Sequence, residues 1–490
     1  MTKRIFALLL AGLMLLTTAC GGGGKISFDE TETAETAETA KTAGTAKKGD
    51  TSGFCAGAGR ADITPESSVP LAGYGNVDNR MSANVMDKLY ASCVAVRDAD
   101  GETLLLFNMD LINVRADLAG QIRRMVNKAT GVPEENILIN STHTHSGPAA
   151  ESENGAIGRW KTKLYKAVQS AAKDAIADLD ACTLFVGTTQ TDRLNFVRRY
   201  YKENGFTTDN ADYGSGSITS HETEVDQEMR LIQFARENRP DIVLANWQCH
   251  PHRTGGAQKF DISSDIIGVW RKEAEKDGEL FFAFFQGGAG NINPTSRISG
   301  ETLYTDYKEI GKALCAHMRD GLNGMTETPT GKVRAKTAIL TGTYSHEGAE
   351  KLEVCKAISA ASAAGRKDEA EALLVQNGIS SVYEANAIVA RAGRPETGEI
   401  LLGCYAIGDI GIAAAPFEMF CQTEKRLRED SPFSFTFSCG YSNESQGYMP
   451  AAECFANKGY EVVISHYVQG TAEAISARQL EMLNELYAGN

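Results

Sequence analysis

The sequence predicts an α/β fold in which helices pack on a mixed sheet and a helical segment is inserted late in the chain. Three observations predict it. Apolar runs of strand length recur along the chain, helical patterns separate several of them, and residues 345–393 are rich in Ala, Glu, Lys and Leu. Strands that alternate with helices are typical of α/β domains. Because no internal repeat and no linker follow residue 52, we predict one large domain over residues 53–490.

Each predicted strand is a short apolar run that ends in small or polar residues, and each predicted helix has its apolar residues at helical spacing. The predicted strands are 103–108, 137–140, 242–248, 280–285, 401–407, 410–415 and 435–438. The predicted helices are 117–130, 159–179, 264–277 and 305–322, followed by two or three helices within 345–393. Several strands run directly into polar residues, which is where open α/β sheets bind ligands.

The composition is that of a globular protein and excludes several classes. The 490 residues are 23% charged and 42% hydrophobic, which argues against a disordered or collagen-like chain. With 49 Lys and Arg against 63 Asp and Glu, the net charge is −14. Nucleic acid binding requires clustered cations, so we expect no nucleic acid partner. After the N-terminus there is no apolar run of about 18 residues, so no internal transmembrane helix is predicted.

The first 19 residues have the pattern of an export signal. Lys3 and Arg4 precede an apolar segment over residues 5–16, and small residues then lead to Cys20. This order is typical of a secretory signal, and a cysteine at the cleavage point resembles a bacterial lipobox. We therefore expect residues 1–19 to be removed and Cys20 to carry a lipid that anchors the protein to the outer side of a bacterial membrane. Secretion without a lipid is the alternative.

Residues 20–52 are predicted to be a disordered tether, because their Thr-Ala repeats carry Glu or Lys and show no apolar periodicity. Beyond Cys20 the chain has ten further cysteines. An even number in an exported protein permits disulfides. Several of these cysteines, such as Cys404 and Cys439, lie in apolar runs where a buried free thiol is equally expected.

Two His-x-His motifs follow predicted strands and are the first candidates for chemistry. His143 and His145 come after the run 137–139, and His250 and His252 come after 242–246. In an extended segment, side chains two residues apart point the same way, so each pair could reach one ion or one substrate. Zinc prefers imidazole together with a carboxylate. The alternative for each pair is hydrogen bonding within a loop.

Three further elements are weaker candidates. The Gly-rich segment 286–294 could expose amide groups as an oxyanion site or could be a simple turn. Glu418 follows a predicted buried strand, where an unpaired charge is costly, so it requires a metal or an arginine unless the loop is exposed. Arg198 and Arg199 could clamp a carbonyl or carboxylate oxygen, although each could equally be a packing residue.

Taken in order, these motifs resemble the catalytic domain of the neutral/alkaline, non-lysosomal ceramidase family. The resemblance rests on residues 59–65, 71–75, 142–148, 198, 250–251, 290–294, 416–418 and 442–448. They occur in the family's order and extend from residue 57 to near residue 470.

The resemblance implies a mixed-sheet zinc amidase that splits ceramide into sphingosine and a fatty acid. The implied zinc ligands are His143, His250, Glu418 and Tyr448. His145 and Arg198 would contact the scissile amide or the tetrahedral oxyanion. A zinc ion lowers the pKa of its bound water and polarises the carbonyl, which agrees with this assignment.

The chain departs from the family at several positions. Asn293 stands where the family has the serine of Gly-Asp-Val-Ser-Pro, and Asn291 replaces its aspartate. Ser445 replaces one tyrosine of the Asn-x-Tyr-x-x-Tyr pattern, and Val197 replaces the asparagine before the arginine. Asparagine cannot serve as a nucleophile. Asn293 therefore stays a candidate catalytic position whose chemistry must differ: water attacks, the substrate differs, or activity is lost. The family's immunoglobulin-like C-terminal domain is not expected here.

The leading hypothesis is a zinc-dependent amide hydrolase that cleaves an N-acyl, sphingolipid-like substrate with metal-activated water. It assigns residues 53–490 to a ceramidase-like zinc hydrolase domain with a helical insertion at about 345–393. The alternative is a catalytically inactive surface lipoprotein that binds a ligand in the same pocket. A serine hydrolase is excluded because no Gly-x-Ser-x-Gly nucleophile motif occurs.

Overall fold

The computed structural model describes residues 53–74, 79–210, 212–255 and 259–489. The predicted signal segment, Cys20 and the tether over residues 20–52 fall outside the described residues. Within the described ranges, no helix is both long enough and apolar enough to cross a bilayer.

The largest sheet is mixed. In spatial order its strands are Leu280–Gln286, Asp241–Trp247, Glu228–Arg236, Asp180–Gln190, Cys55–Asp62, Tyr90–Arg97, Thr103–Met109 and Ile137–Ser141, with Thr326–Glu327 beside Asp180–Gln190. The outermost pair at each end is parallel, and the pairs between them are antiparallel. The predicted mixed-sheet α/β fold is confirmed.

A second sheet packs against the first. Its strands, in order, are Val333–Thr343, Thr397–Ile407, Ile410–Ala414 and Phe435–Cys439. The short two-stranded pairs are Asn84–Val85 with Asp261–Ile262, Phe196–Val197 with Ile292–Asn293, Glu418–Met419 with Tyr448–Met449, and the hairpin Arg199–Thr208 with Asp212–His221. One core joins both sheets and includes Val94, Leu106, Ile232, Leu244 and Phe437.

Helices cover the outer faces of these sheets. They are α1 Ala116–Thr130, α2 Gly155–Ala177, α3 Asp265–Ala274, α4 Tyr307–Leu322, α5 Leu352–Ala363, α6 Lys367–Asn377, α7 Val382–Ala392, α8 Cys421–Glu429, α9 Tyr460–Ile464 and α10 Thr471–Ala488, with 3₁₀ turns at Glu134–Asn136, Ala349–Lys351 and Ala452–Asn457. Helices α1 and α2 share a core with one half of the large sheet, α3 and α4 with the other half, and α10 with the second sheet. In chain order, helices α5–α7 come between strands Val333–Thr343 and Thr397–Ile407 of the second sheet. This order confirms the predicted helical insertion.

Helix α2 shows why these segments are helical. The Asn154 side chain accepts a hydrogen bond from Ala156 N and so caps the first turn. Trp160, Leu164 and Val168 recur every four residues and are buried against the sheet. This apolar stripe provides the periodicity from which the helix was predicted.

Buried side-chain amides bring the carboxyl ends of several strands together. Asn140 Nδ2 donates to Gly440 O at 2.8 Å, and its Oδ1 accepts from Gln286 N at 2.9 Å. Asn246 Nδ2 donates to Ser438 O at 2.9 Å, while its Oδ1 accepts from Ser438 N at 3.1 Å. Since a buried amide requires partners, these contacts hold the ends of four strands at one place.

None of the ten described cysteines is in a disulfide. Nine of them are buried and Cys182 is half-buried. Burial raises the pKa of the Cys93 and Cys439 thiols. The thiols therefore act as small apolar side chains in the core. Of the two possibilities that the sequence left open, these residues are buried thiols rather than disulfides.

Alanine should change the stability in opposite directions at two glycines, one in strand Cys55–Asp62 and one in α2. A Cβ on Gly57 would lie 2.2 Å from Ala175 O and 2.6 Å from Leu179 N, both backbone atoms of the α2 region. Overpacking of this kind costs about 1–3 kcal/mol, so Gly57→Ala should lower the melting temperature. A Cβ on Gly158 meets nothing within 4 Å. Gly158→Ala should stabilise α2 by up to about 1 kcal/mol. Calorimetric melting of both variants checks the pair; a Gly57→Ala protein as stable as wild type would contradict this packing.

Candidate metal centre

The backbone of the first His-x-His motif does not have the extended conformation that the sequence predicted. His143 follows strand Ile137–Ser141 and has a φ of 67°. This left-handed conformation is uncommon for a residue with a side chain. The segment is therefore kinked at His143, and the expected strand alternation is wrong here. The kink still brings His143 Nε2 to 3.3 Å from His145 Nε2.

Backbone carbonyls orient two of the imidazole rings. His143 Nδ1 lies 2.8 Å from Ile112 O. His250 Nδ1 lies 2.8 Å from Ala289 O and 3.1 Å from Ile292 O. A carbonyl can only accept, so each Nδ1 carries the proton and each Nε2 presents a lone pair. Metal-binding histidines are commonly oriented in this way.

Glu418 completes a group of three acceptor atoms. Its Oε2 lies 3.4 Å from His143 Nε2 and 3.3 Å from His250 Nε2. The carboxylate side chain is 16% exposed, and within the described part of the chain no hydrogen-bond donor serves this oxygen. Three lone pairs thus point at one another with no proton between them, an arrangement that a cation would stabilise.

The spacing of the donors fits zinc. A tetrahedral zinc ion with bonds of about 2.0–2.2 Å keeps its ligand atoms about 3.3–3.6 Å apart. The two separations from Glu418 fall in this range, as does the 3.5 Å between Tyr448 OH and His250 Nε2. Glu418 and Tyr448 are paired residues on adjacent short strands, so both side chains start from one place.

His145 lies in the same cluster. One ring nitrogen from each of His143, His145 and His250 lies within 4.8 Å of the other two. The structure therefore brings together all four predicted ligands and His145. The assignment of His145 to substrate rather than to metal stays a prediction.

Arg198 lies beside the phenol of Tyr448. Its Nη2 donates to Tyr448 OH at 2.9 Å, its Nε donates to Glu461 Oε1 at 2.8 Å, and its Nη1 donates to Asn293 Oδ1 at 3.4 Å. Arg198 is 3% exposed, so its charge is compensated by these contacts rather than by water. Burial alone would lower its pKa, but Tyr448 and Glu461 outweigh burial and hold the pKa above the usual value.

Burial and neighbouring groups favour the neutral forms of His250 and His145. Burial, followed by the charge of Arg198, lowers the pKa of His250 to about 4. Burial and the neighbouring His143 and His250 lower the pKa of His145 well below its usual value. At neutral pH the His250 and His145 rings are therefore uncharged.

The Gly-rich segment is a close-packed turn, which is the second of the two interpretations that the sequence left open. Gly287 N donates to Trp247 O, Gly290 N to Met419 O and Ile292 N to Ala289 O. These three amides already have acceptors and so are not available to a substrate oxygen. A Cβ on Gly290 would lie 2.3 Å from Glu418 O, so glycine permits the approach of the strand that carries Glu418.

The two asparagines of this segment have separate surroundings. Asn291 Oδ1 accepts from Cys421 N at 3.0 Å, and its Nδ2 donates to Gln422 Oε1 at 3.0 Å. Asn293 accepts from Arg198 and donates through Nδ2 to Asp209 Oδ2. Asn291 thus secures the turn, whereas Asn293 touches the Arg198 side of the site.

Sequence reasoning missed several residues of the site. Glu461 bridges Arg198 and Arg199, and Asp209 contacts Asn293. The Tyr441 ring lies 4.2 Å from the His143 ring. A buried arginine pair signals that a carboxylate must be nearby, but the sequence does not say which one. Tyr441 directly precedes the 442–448 segment that contributes to the family resemblance, and only the fold shows that its ring contacts His143.

Comparisons with known proteins find similarity to neutral ceramidases. A family model described as neutral/alkaline non-lysosomal ceramidase, N-terminal, matches residues 54–297, about half of the chain. The chain is 25% identical over 276 residues to a neutral ceramidase of Pseudomonas aeruginosa, covering 52% of this chain and 40% of that protein. It is 23% identical over 273 residues to neutral ceramidase B of Dictyostelium discoideum, covering 51% and 37%. The match thus spans about two-fifths of the length of these relatives.

Solved structures show the same fold. The crystal structure of the neutral ceramidase from Pseudomonas aeruginosa superposes with a TM-score of 0.66 at 19% identity, covering 89% of this chain and 75% of that chain. A ceramidase complexed with C2 superposes with a TM-score of 0.66 at 17% identity and the same coverage.

The depressed pKa of His250 predicts a pH-dependent stability of the metal-free protein. Below about pH 6.5 the unfolded chain binds a proton at His250, whereas the folded chain does not until about pH 4. Stability should therefore fall as pH falls across this window. Relative to wild type, His250→Gln should lose about 2–3 kcal/mol less between pH 7 and 4.5. Urea unfolding in the presence of a chelator measures this. Parallel pH profiles for the two proteins would refute it.

Proposed function

The chain belongs to the neutral/alkaline, non-lysosomal ceramidase family, and on this premise we propose that it is a zinc-dependent amide hydrolase acting on an N-acyl, sphingolipid-like substrate. One observation carries the proposal. His143 Nε2, His250 Nε2 and Glu418 Oε2 converge at zinc-like separations of 3.3 and 3.4 Å from the carboxylate, with no proton among them. A hydrogen-bonded structural cluster would instead alternate donors and acceptors.

His143, His250 and Glu418 would hold the ion, with Tyr448 as the fourth ligand. When bound, zinc supplies a Lewis acid that polarises a carbonyl oxygen and lowers the pKa of a water towards about 7. Zinc commonly takes nitrogen and carboxylate ligands, and this donor set has both. Burial raises the pKa of the Tyr448 phenol, and Arg198 opposes that effect. A phenol beside a cation and a guanidinium is thus suited to ligation.

His145 and Arg198 are assigned to the substrate. His145 is neutral at pH 7, because burial and the adjacent imidazoles lower its pKa. It can accept a proton from the attacking water and return it to the leaving amine nitrogen. The reaction is balanced, since water supplies OH to the acyl carbon and H to the amine nitrogen. Arg198 supplies a fixed positive charge beside the site, where the oxyanion develops.

Asn293 is assigned to the support of Arg198 rather than to bond formation. Its Oδ1 accepts from Arg198 Nη1 at 3.4 Å, and its amide cannot attack a carbonyl. Hydrolysis by water does not require a nucleophilic side chain at this position. The serine of the family pattern is therefore dispensable for the reaction proposed here.

A cleft of about 580 Å³ is a candidate for the part of the substrate that leaves as the amine. Gly447 lines it, and the carbonyl of Gly447 accepts from Glu418 N at 2.9 Å. Arg394, His466 and Ser445 also line the cleft. This polar lining favours a substrate whose amine portion bears hydrogen-bonding groups. We further propose that a lipid on Cys20 holds the enzyme on the outer side of a bacterial membrane.

The second candidate function is that of an inactive, ligand-binding surface lipoprotein. The replacement of the family serine by Asn293 favours it, because a site can retain its metal and lose its chemistry. The two functions differ in one respect only. A binding protein should not turn over any N-acyl amide faster than its own metal-free form.

Zinc binding is the first expectation. The purified protein should contain about one zinc per chain, and the His143→Ala/His250→Ala variant should contain none and lose hydrolysis. His346 lies outside the cluster, 3.9 Å from Glu396, so His346→Gln is the matched histidine control and should keep its metal. Elemental analysis gives the stoichiometry. A folded double variant that still holds one zinc would refute the ligand assignment.

The role of Asn293 gives a second expectation. Asn293→Ala removes the acceptor for Arg198 Nη1 but no nucleophile, so kcat on a short-chain ceramide or another N-acyl amide should fall by no more than about tenfold. His143→Ala should abolish turnover on the same substrates. Initial rates of product amine release compare the two. If Asn293→Ala were as inactive as His143→Ala while retaining zinc, attack by water without this side chain would be untenable.

A further inference from the structure

Glu461 is a buried carboxylate outside the candidate metal group. It lies in α9 and is fully buried. Its Oε1 accepts from Arg198 Nε at 2.8 Å, and its Oε2 accepts from Arg199 Nη1 at 2.9 Å. One carboxylate thus binds two consecutive arginines, and only Arg198 faces Tyr448. Because each carboxylate oxygen accepts from a different arginine, the orientation of the carboxylate fixes the position of Arg198 relative to Arg199.

Arg199 is held from several other directions. Its Nη2 donates to Glu222 Oε1 at 2.9 Å and to Lys458 O at 2.8 Å. A Cβ on Gly459 would lie 2.7 Å from Arg199 Nη1, and Gly459 has a φ of 89°. The loop before α9 therefore wraps the guanidinium closely, and glycine is required there. Arg199 serves as the fixed end of the Arg199–Glu461–Arg198 chain.

Because a guanidinium is planar, fixing one of its donors also fixes the directions of the others. Its donors lie in one plane with set directions. A bond from Nε to Glu461 therefore determines where Nη2 points. In the structure Nη2 points to Tyr448 OH at 2.9 Å. Without Glu461, the side-chain hydrogen bonds left to the guanidinium among the described residues are those of its two Nη atoms, to Tyr448 OH at 2.9 Å and to Asn293 Oδ1 at 3.4 Å. The Nε atom would then lose the bond that fixes the plane.

Resting on the proposed hydrolase function, we propose that Glu461 is a positioning residue that orients Arg198 towards Tyr448 and the reacting amide. It also offsets the positive charge of Arg198, which would otherwise lie uncompensated beside a metal cation. Arg198 is the group that touches substrate; Glu461 acts through it.

The helical insertion supports α9 from behind. Arg391, at the end of α7, donates through Nη1 to Val463 O at 3.2 Å and to Ser465 O at 2.9 Å. The Tyr383 ring of α7 packs on the Tyr460 ring, with centroids 5.0 Å apart. These contacts fix the short helix that carries Glu461. The insertion thereby serves as a buttress for the site.

Three variants test the proposal. Glu461→Gln keeps the side-chain volume and removes the charge, Glu461→Asp keeps the charge and shortens the reach, and Glu222→Gln is the matched control, because Glu222 binds Arg199 but not Arg198. Displacement of a catalytic group by about 1 Å can cost about 100-fold in rate. We expect kcat of Glu461→Gln to fall about 10- to 100-fold with KM and zinc content unchanged. Glu461→Asp should be intermediate, and Glu222→Gln should stay within about threefold of wild type.

Crystal structures of Glu461→Gln and Glu222→Gln give a readout that needs no activity. The bond from Arg198 Nη2 to Tyr448 OH should be lost in the first and kept in the second. Retention of that bond in Glu461→Gln, or equal losses of kcat in both variants, would overturn the proposal. If Glu461→Gln fails to fold, a Glu461→Asp protein with wild-type kcat overturns it equally. Absence of zinc and turnover from the wild-type protein counts against the proposed function alone, since the structural readout still decides the role of Glu461.

Discussion

The convergence of three lone pairs, from His143 Nε2, His250 Nε2 and Glu418 Oε2, is the constraint on which the surrounding structure depends. A buried carboxylate oxygen without a donor is costly, and it persists only if its neighbours cannot turn away. Carbonyl partners at Nδ1 prevent either imidazole from turning. Those carbonyls lie on loops that follow strand ends, and buried amides such as Asn140 hold the strand ends together. The fold therefore prepares the site before any cation binds, and cation binding would add to its stability.

A second buried charge cluster lies against the first, and Tyr448 is the residue that touches both. Arg198 donates to the phenol, while the phenol oxygen lies 3.5 Å from His250 Nε2. A guanidinium so close to the candidate metal centre would repel a bound cation. Glu461, which has no solvent exposure, offsets that repulsion and leaves the arginine available as an oriented donor. Buried ion pairs are seldom stabilising in themselves, so a function in orientation is the better account of this one.

Apolar runs in the sequence were sufficient to predict the strands at 137–140 and 280–285, because most of their residues are buried. The helices of the insertion were predicted from a composition rich in Ala, Glu, Lys and Leu. The hairpin Arg199–Thr208 with Asp212–His221 was missed, since its first strand carries exposed polar residues rather than an apolar run. The His-x-His motifs and Glu418 could be named because their residue types suit a metal. The sequence could not predict the left-handed backbone at His143 or the identity of the carboxylate that binds Arg198. Both depend on contacts with residues distant in sequence.

Asn293 shows how a departure from a family pattern can be compatible with its chemistry. The side chain connects Arg198 to Asp209, so it accepts from the guanidinium on one side and donates to a carboxylate on the other. A serine hydroxyl is shorter and has a single proton to donate, so it could not make both contacts with the same reach. Asparagine at this position therefore strengthens the hold on Arg198 and removes a nucleophile. Where water is the attacking group, the first effect matters to the rate and the second does not.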